Sequence, residues 1–303
     1  MHFIYDKLSN HTRIVGFGFL VLLAYLVMYE LEIDDHLHAL WNEISTDDAI
    51  KNKSIWLPNY QLSHQTALPF VNNNLSGITY NPETNRLWVI VNSPQRLIEL
   101  DTDFNATRTI ELKNFTDTEA VAYAGNNRLV IADERDQSVV VANIGDSNSF
   151  DKLELPRLTV DTNGGGNKGF EGIAVDNSAG LIYVVRERDP MTLLTINGLL
   201  TKNAGVTVTK DKLINAQDLY LDDLSGLHFD PSSGNLLFLS DESRALGEIS
   251  LNGNRVSYLD LVKGFHGLNQ DIPQAEGVTM GPQRSLFVVS EPNLIYRFDA
   301  SDS

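Results

Sequence analysis

Hydrophobic and polar positions recur along this chain in the same order five times. Each unit opens on a short alternating stretch, such as Gly172-Ile173-Ala174-Val175-Asp176, which reads as a half-buried strand. A turn rich in Asn, Gly, Asp, Ser and Pro follows. Then comes an unbroken apolar run, at Leu87–Val91, Leu129–Ala132, Leu181–Val185, Leu236–Ser240 and Leu286–Ser290. Such runs, bounded by turn residues, read as strands buried on both faces. A third strand ends each unit, at Arg96–Asp101, Val139–Ile144, Thr192–Asn197, Ala245–Leu251 and Leu294–Asp299. The less regular segments between units can supply a fourth, outer strand.

A short motif marks the start of every unit: Leu75-Ser76-Gly77-Ile78, Thr118-Glu119-Ala120-Val121, Phe170-Glu171-Gly172-Ile173, Leu224-Ser225-Gly226-Leu227 and Ala275-Glu276-Gly277-Val278. Its second position recurs at intervals of 43, 52, 54 and 51 residues. A period of about 50 residues with strand-like content predicts propeller blades. The fifth unit stops after its third strand, and Ser54–Leu62 is the one strand-like piece left over. Joining the two ends in one blade closes the ring and removes the exposed sheet edges that favour aggregation. The expected fold is therefore all-β, a five-bladed β-propeller closed by an N-terminal strand. A β-sandwich or an open solenoid has no use for the spare strand.

Ahead of the repeats the pattern changes. No charged residue occurs from Ile14 to Tyr29, and Leu31 and Ile33 extend the apolar run. The total is about 20 residues, the length a helix needs to cross the hydrocarbon core. No face of it is polar, as a surface helix would require. Lys7 and Arg13 precede it, while Glu30, Glu32, Asp34 and Asp35 follow. That asymmetry keeps the N-terminus in the cytoplasm and exports the rest. A cleaved signal peptide is the rival, but it would be shorter and end in a small-x-small site, whereas this one ends in Val27-Met28-Tyr29-Glu30. The expected organisation is a cytoplasmic stretch 1–13, a single transmembrane helix 14–33, a charged linker 34–53 with a short helix over 35–44, and the propeller at 54–303.

Charge narrows the partners. With 40 Asp and Glu against 23 Lys and Arg, the net charge of −17 repels phosphate backbones and argues against nucleic acid. The chain has no cysteine, so disulfides, thiolate metal sites and cysteine nucleophiles are excluded.

Many of the acids fall in two columns. The first is the second motif position, which brings in Glu119, Glu171 and Glu276, with Ser76 and Ser225 in the other two units. The second stands at the end of each apolar run, at Ser93, Glu134, Glu187, Glu242 and Glu291. The first two strands of a blade form an antiparallel hairpin, so the start of one lies beside the end of the other. Because the first strand of a propeller blade is innermost, both columns converge on one mouth of the central channel. Seven carboxylates there repel unless a cation offsets them, and calcium accepts six to eight oxygens in loose geometry. Magnesium prefers stricter octahedral geometry, and no Cys or closely spaced His pair favours zinc or copper. Arg135, Arg188 and Arg244 follow the second column and offer an alternative: an ion-pair belt with those acids that leaves only the first column for metal.

Phe170-Glu171-Gly172, Ile131-Ala132-Asp133-Glu134-Arg135-Asp136, Leu221-Asp222-Asp223-Leu224-Ser225-Gly226, Ser243-Arg244-Ala245-Leu246, Gln274-Ala275-Glu276-Gly277 and Val289-Ser290-Glu291-Pro292-Asn293 together resemble the SdiA-regulated, YjiK-like family of bacterial proteins. The resemblance spans about residues 70–300. It implies a five-bladed propeller distantly similar to NHL-repeat proteins, a calcium site, and a membrane-linked N-terminus, and it carries no assigned reaction. The serines of the first blade depart from the acidic pattern and make the ring asymmetric.

The reading that follows is a calcium-binding module in the bacterial periplasm, held to the inner membrane by its N-terminal helix, with a protein or small-molecule ligand that no motif names. The alternative is a calcium-dependent lactonase or esterase, which rests on fold analogy alone. No catalytic residue is assigned. His228 lies in an alternating strand and reads as a packed residue, while His266, between Gly264 and Gly267, is the better proton carrier. There is no Gly-x-Ser-x-Gly elbow. The glycine-rich stretch 163–169 lacks the Gly-Lys-Ser/Thr ending of a phosphate loop and leads into a strand.

Overall fold

Each repeat builds a sheet of four antiparallel strands, one of the five sheets gaining a fifth, parallel strand, in the computed structural model, which describes residues 46–160, 169–187, 190–210 and 221–301. The described part opens near a single-turn helix, Asp48–Lys51, capped by Asp47, whose carboxylate accepts the Ala49 N–H at 2.7 Å. Strand β1 (Tyr60–Ala67) follows. The first blade is then β2 (Leu75–Asn81), β3 (Arg86–Val91), β4 (Arg96–Leu100) and β5 (Ala106–Lys113). The second uses β6 (Thr118–Tyr123), β7 (Arg128–Asp133) and β8 (Ser138–Asn143), then β9 (Ser149–Asp151) and β10 (Arg157–Thr159). Here β10 completes the blade, whereas β9 reaches back to pair in parallel with β5. The third is β11 (Phe170–Asp176), β12 (Leu181–Arg186), β13 (Thr192–Asn197) and β14 (Thr207–Lys210). The fourth is β15 (Gly226–Asp230), β16 (Asn235–Ser240), β17 (Ala245–Ser250) and β18 (Arg255–Asp260). The fifth comprises β19 (Ala275–Met280), β20 (Leu286–Ser290) and β21 (Leu294–Ala300), with β1 as its outer strand.

Apolar side chains from neighbouring sheets interlock, so the core lies between blades rather than within them. Trp88 and Ile90 of the first blade meet Leu129 and Ile131 of the second. Val130 and Val139 meet Ile173 and Val184, and Leu237 and Leu246 meet Leu286 and Val288. The last blade packs against the first through Phe287, Val289, Val89 and Ile98, so the ring is closed. Burying each such side chain contributes roughly 1.5–3 kcal/mol. The innermost strands approach backbone to backbone. A Cβ on Gly277 would lie 2.8 Å from the Gly77 Cα, which only glycine tolerates.

The closing strand differs from expectation. It runs Tyr60–Ala67, whereas Ser54–Leu62 was the apolar-looking segment. Pro58 has no N–H for a ladder, and Leu57–Asn59 forms a 3-10 turn after Trp56, which adopts a left-handed φ of 56°. The real strand reads polar because most of its side chains are exposed at the rim. Among the described residues no helix is long and apolar enough to cross a membrane; the span 14–33, its cytoplasmic flank and the helix over 35–44 lie outside the described residues.

Candidate metal centre

A β-bulge opens the innermost strand of four blades. Pairing slips between Leu75 and Gly77, between Thr118 and Ala120, between Phe170 and Gly172, and between Ala275 and Gly277. The residue left out of the ladder each time is the second motif residue: Ser76, Glu119, Glu171 or Glu276. A bulge re-aims its extra side chain, and here it turns Glu119, Glu171 and Glu276 into the channel mouth. In the fourth blade the strand starts two residues later, at Gly226, and the Ser225 hydroxyl donates to the Ala275 carbonyl at 2.6 Å instead.

The mouth is a cavity of about 430 Å³. Glu119, Glu171 and Glu276 line it together with Glu134, Glu187, Glu242 and Glu291, so both columns converge as the hairpin geometry requires. Asp117, Asp223 and Asp241 join them, giving ten carboxylates beside one guanidinium, that of Arg135, among the described lining residues. Asp117 and Asp223 stand two residues before the bulge position, where the first and fifth blades carry Asn74 and Gln274. This third column was missed at the sequence level, although its fixed offset is visible there.

The second column also shifts by one residue in two blades. The N–H of Asn92 donates to the Asn74 carbonyl at 3.0 Å, as Glu134 N–H does to Asp117 at 2.7 Å and Glu291 N–H to Gln274 at 3.0 Å. Asn92, not Ser93, is therefore the first blade's counterpart of Glu134. Likewise β16 ends at Ser240, which puts Asp241 at the next position, although Glu242 lines the mouth as well.

Asn92 organises one side of the cavity. Its amide nitrogen donates to Asp117 Oδ1 at 2.6 Å and Glu119 Oε1 at 2.7 Å, and its carbonyl oxygen accepts the Thr118 N–H at 3.2 Å. Carboxylate oxygens of Asp117, Glu119 and Glu134 come within 4.8 Å of one another. Glu134 also accepts the Gly169 N–H at 2.9 Å, where a side chain on residue 169 would collide with it. Across the mouth, Asp223 accepts the Ser240 hydroxyl and the Glu242 N–H, the latter at 3.1 Å, while Asp241 accepts Ala275 N–H at 3.2 Å.

Of the three arginines expected to pair with the second column, the two described ones have ion pairs with other acids. Arg135 pairs with Asp117, from the third column, at 3.1 Å. Arg244 pairs with Asp271 at 3.3 Å, outside the mouth lining, and Arg188 lies outside the described residues. No histidine lines this cavity among the described residues. His266 instead places Nδ1 2.9 Å from the Tyr60 carbonyl, at the closing strand.

Burial and mutual repulsion hold protons on the deepest acids in the absence of a cation. Burial above all pushes the Glu119 carboxyl up to about 8, with the charges of Asp117 and Glu134 adding to it. Glu276 is pushed up to about 9 by burial and by Glu119, Asp241, Glu291 and Asp223. Glu171 is raised well above the ordinary range by the same two causes, and Glu134 and Glu291 are also raised. Burial lifts Asp223 to about 6. Such a donor set, all oxygen, crowded and short of positive charge, fits a hard divalent cation.

The family model described as SdiA-regulated matches residues 52–299. Among solved structures the chain is similar to one from a nidogen/laminin complex, at 16% identity over 72% of this chain and 73% of that one, with a TM-score of 0.48. It is also similar to a luciferin-regenerating enzyme at 13% identity over 78% of this chain and 94% of that one (TM-score 0.49). A streptogramin B lyase is similar at 8% identity over 81% and 99%, with a TM-score of 0.47.

Proposed function

Because the chain belongs to the SdiA-regulated family, we propose that it is a binding module whose acidic mouth holds a divalent cation, calcium, and presents it to a ligand. One observation carries this reading: three bulges aim Glu119, Glu171 and Glu276 into a cavity where, among the described residues, ten carboxylates meet one arginine. Glu119, Glu171 and Glu276 are the inner ligands, with Asp117, Glu134, Asp223, Asp241 and the rim acids Glu187, Glu242 and Glu291 around them. The ion would replace the protons these buried groups otherwise keep, and it would leave positive charge facing the opening for an anionic or carbonyl-bearing partner. Calorimetric titration of chelator-treated protein with calcium, checked by elemental analysis of the untreated protein, tests this. An absence of both heat and metal would end it.

Within the same proposal the apolar span 14–33 anchors the propeller to the bacterial inner membrane, with the propeller in the periplasm. Sedimentation of the full chain with membranes after alkaline washing, and its release when residues 1–45 are deleted, is the expected behaviour. The lactonase or esterase alternative finds no support in the placement of His266, and a screen of lactones and aryl esters with and without calcium decides it.

A further inference from the structure

The channel has a second mouth of opposite character. Counting along each innermost strand from the bulge position, the second residue on is aliphatic in every blade: Ile78, Val121, Ile173, Leu227 and Val278. All five are buried and shape the waist between the two mouths, where the space shrinks to about 10 Å³. One residue further the ring is Thr79, Ala122, Ala174, His228 and Thr279. Next come Tyr80, Tyr123, Val175, Phe229 and Met280. Small side chains at four of the five middle-ring positions and mostly larger apolar ones at the rim leave a cavity of about 420 Å³. That volume lies within the range of about 300–1,000 Å³ common to small-molecule sites.

The polar groups of this cavity are internally matched. The Thr79 hydroxyl oxygen accepts the Tyr123 N–H of the next blade at 2.9 Å. His228 does the same job between the fourth and fifth blades, accepting the Met280 N–H on Nε2 at 3.4 Å. An accepting Nε2 requires an unprotonated nitrogen, and burial brings the imidazole down to about 4, so His228 is neutral. His228 is half-buried and is among the residues that line the cavity. Among the described residues the charged ones lining it are Asp230 and Arg284, which pair with each other at 3.2 Å. Gln283 and Arg284 both hold left-handed φ angles, 57° and 59°.

We infer that this second mouth is a binding site for a small, uncharged, largely apolar molecule of aromatic-ring size. An anion would have to compete with Asp230 for Arg284, and a cation with Arg284 for Asp230. A neutral ring meets apolar walls and the face of His228 without breaking that pair. The site is walled off from the acidic mouth by the aliphatic ring and does not depend on the cation.

The test uses an uncharged naphthalene dye (prodan) with the full chain, against an anionic naphthalene sulfonate and a cationic dye of similar size. Saturable one-to-one binding of the neutral dye is expected, at least tenfold tighter than either charged one. Ala174→Trp fills the middle ring and Ser232→Trp obstructs the exposed rim; each should weaken the neutral dye at least tenfold while thermal unfolding stays cooperative. Ser232 is exposed, so that variant reports even where the core substitution fails to fold. Arg284→Ala leaves Asp230 unpaired and should move the preference toward the cationic dye. Equal binding of neutral and anionic dyes, or neutral-dye binding unchanged by Ser232→Trp, overturns the inference.

Discussion

The carboxylate of Glu248 accepts the backbone N–H of Ile55 at 2.8 Å, which ties the third strand of the fourth blade to the segment leading into the closing strand. Glu248 is fully buried, and it also accepts from Trp56 N–H, the Asn235 amide and the Ser257 hydroxyl. The terminal segment is thus held by a charged acceptor with four donors aimed at it, in addition to its ladder with β21. Replacing Glu248 with Ala leaves those donors buried without their acceptor, at a cost of about 1–3 kcal/mol for each that finds no new partner. Glu248→Ala should lose at least about 3 kcal/mol in urea unfolding. A loss under about 1 kcal/mol would mean that the latch contributes nothing to closure.

Ring closure has a second requirement, at the channel axis. A methyl group on Gly277 would sit 2.8 Å from Gly77 Cα and 2.9 Å from Ile78 N, both backbone atoms that cannot step aside. Gly277→Ala should therefore destabilise by about 1–3 kcal/mol, as overpacking does. Gly205 has nothing within 4 Å of the same added group, so Gly205→Ala serves as the neutral comparison. Similar midpoints for the two variants in denaturant would refute the backbone contact.

Blade number, strand order and the two acidic columns were legible because each repeats with the period of a blade. Local irregularity hid the rest. The β2–β3 hairpin is one residue longer than the β6–β7 hairpin, so a fixed offset from the motif misplaces the column, and the hydrogen bond from Asn92 to Asn74 reveals that Asn92 stands in for Glu134. Asp117 and Asp223 share an offset but sit in irregular segments before the strands, where no pattern marks them as lining. Glu248 lies in a strand reading Ala-Leu-Gly-Glu-Ile-Ser, and nothing in that string says its carboxylate is buried. His228 was read as packed since it alternates with apolar neighbours. Alternation separates the faces of a strand, but it does not tell a blade interface from a channel wall.

Titration should set the stability of the cation-free protein. Glu119 and Glu276 bind protons up to about 8 and about 9 when folded, against an ordinary value of 4.5. Between those limits the folded chain holds more protons than the unfolded one, so stability falls as pH rises. The contribution is complete below about 4.5 and is lost as pH passes through 8 to 9. Melting temperature in chelator should drop by about 5 °C or more between pH 5 and pH 9. Saturating calcium should flatten that slope, since the ion takes the place of the protons and binds more tightly as they leave. Equal slopes with and without calcium would place the cation elsewhere.

Substituting the three bulge acids separates a metal site from a merely acidic surface. Glu119→Gln, Glu171→Gln and Glu276→Gln together keep the size of each side chain and remove the groups that burial and repulsion keep protonated. Without calcium the triple variant should melt no lower than the parent at pH 7 and higher at pH 9, because it has no carboxylates to ionise there. With calcium the parent should gain stability according to its occupancy, roughly 2.7 kcal/mol at a hundredfold excess over Kd. The triple variant should gain almost none. Glu187→Gln at the rim, one of the outer acids, should keep most of the gain. If the triple variant still responds to calcium like the parent, the inner ring is not the site, and the outer column with Asp117, Asp223 and Asp241 becomes the set to test.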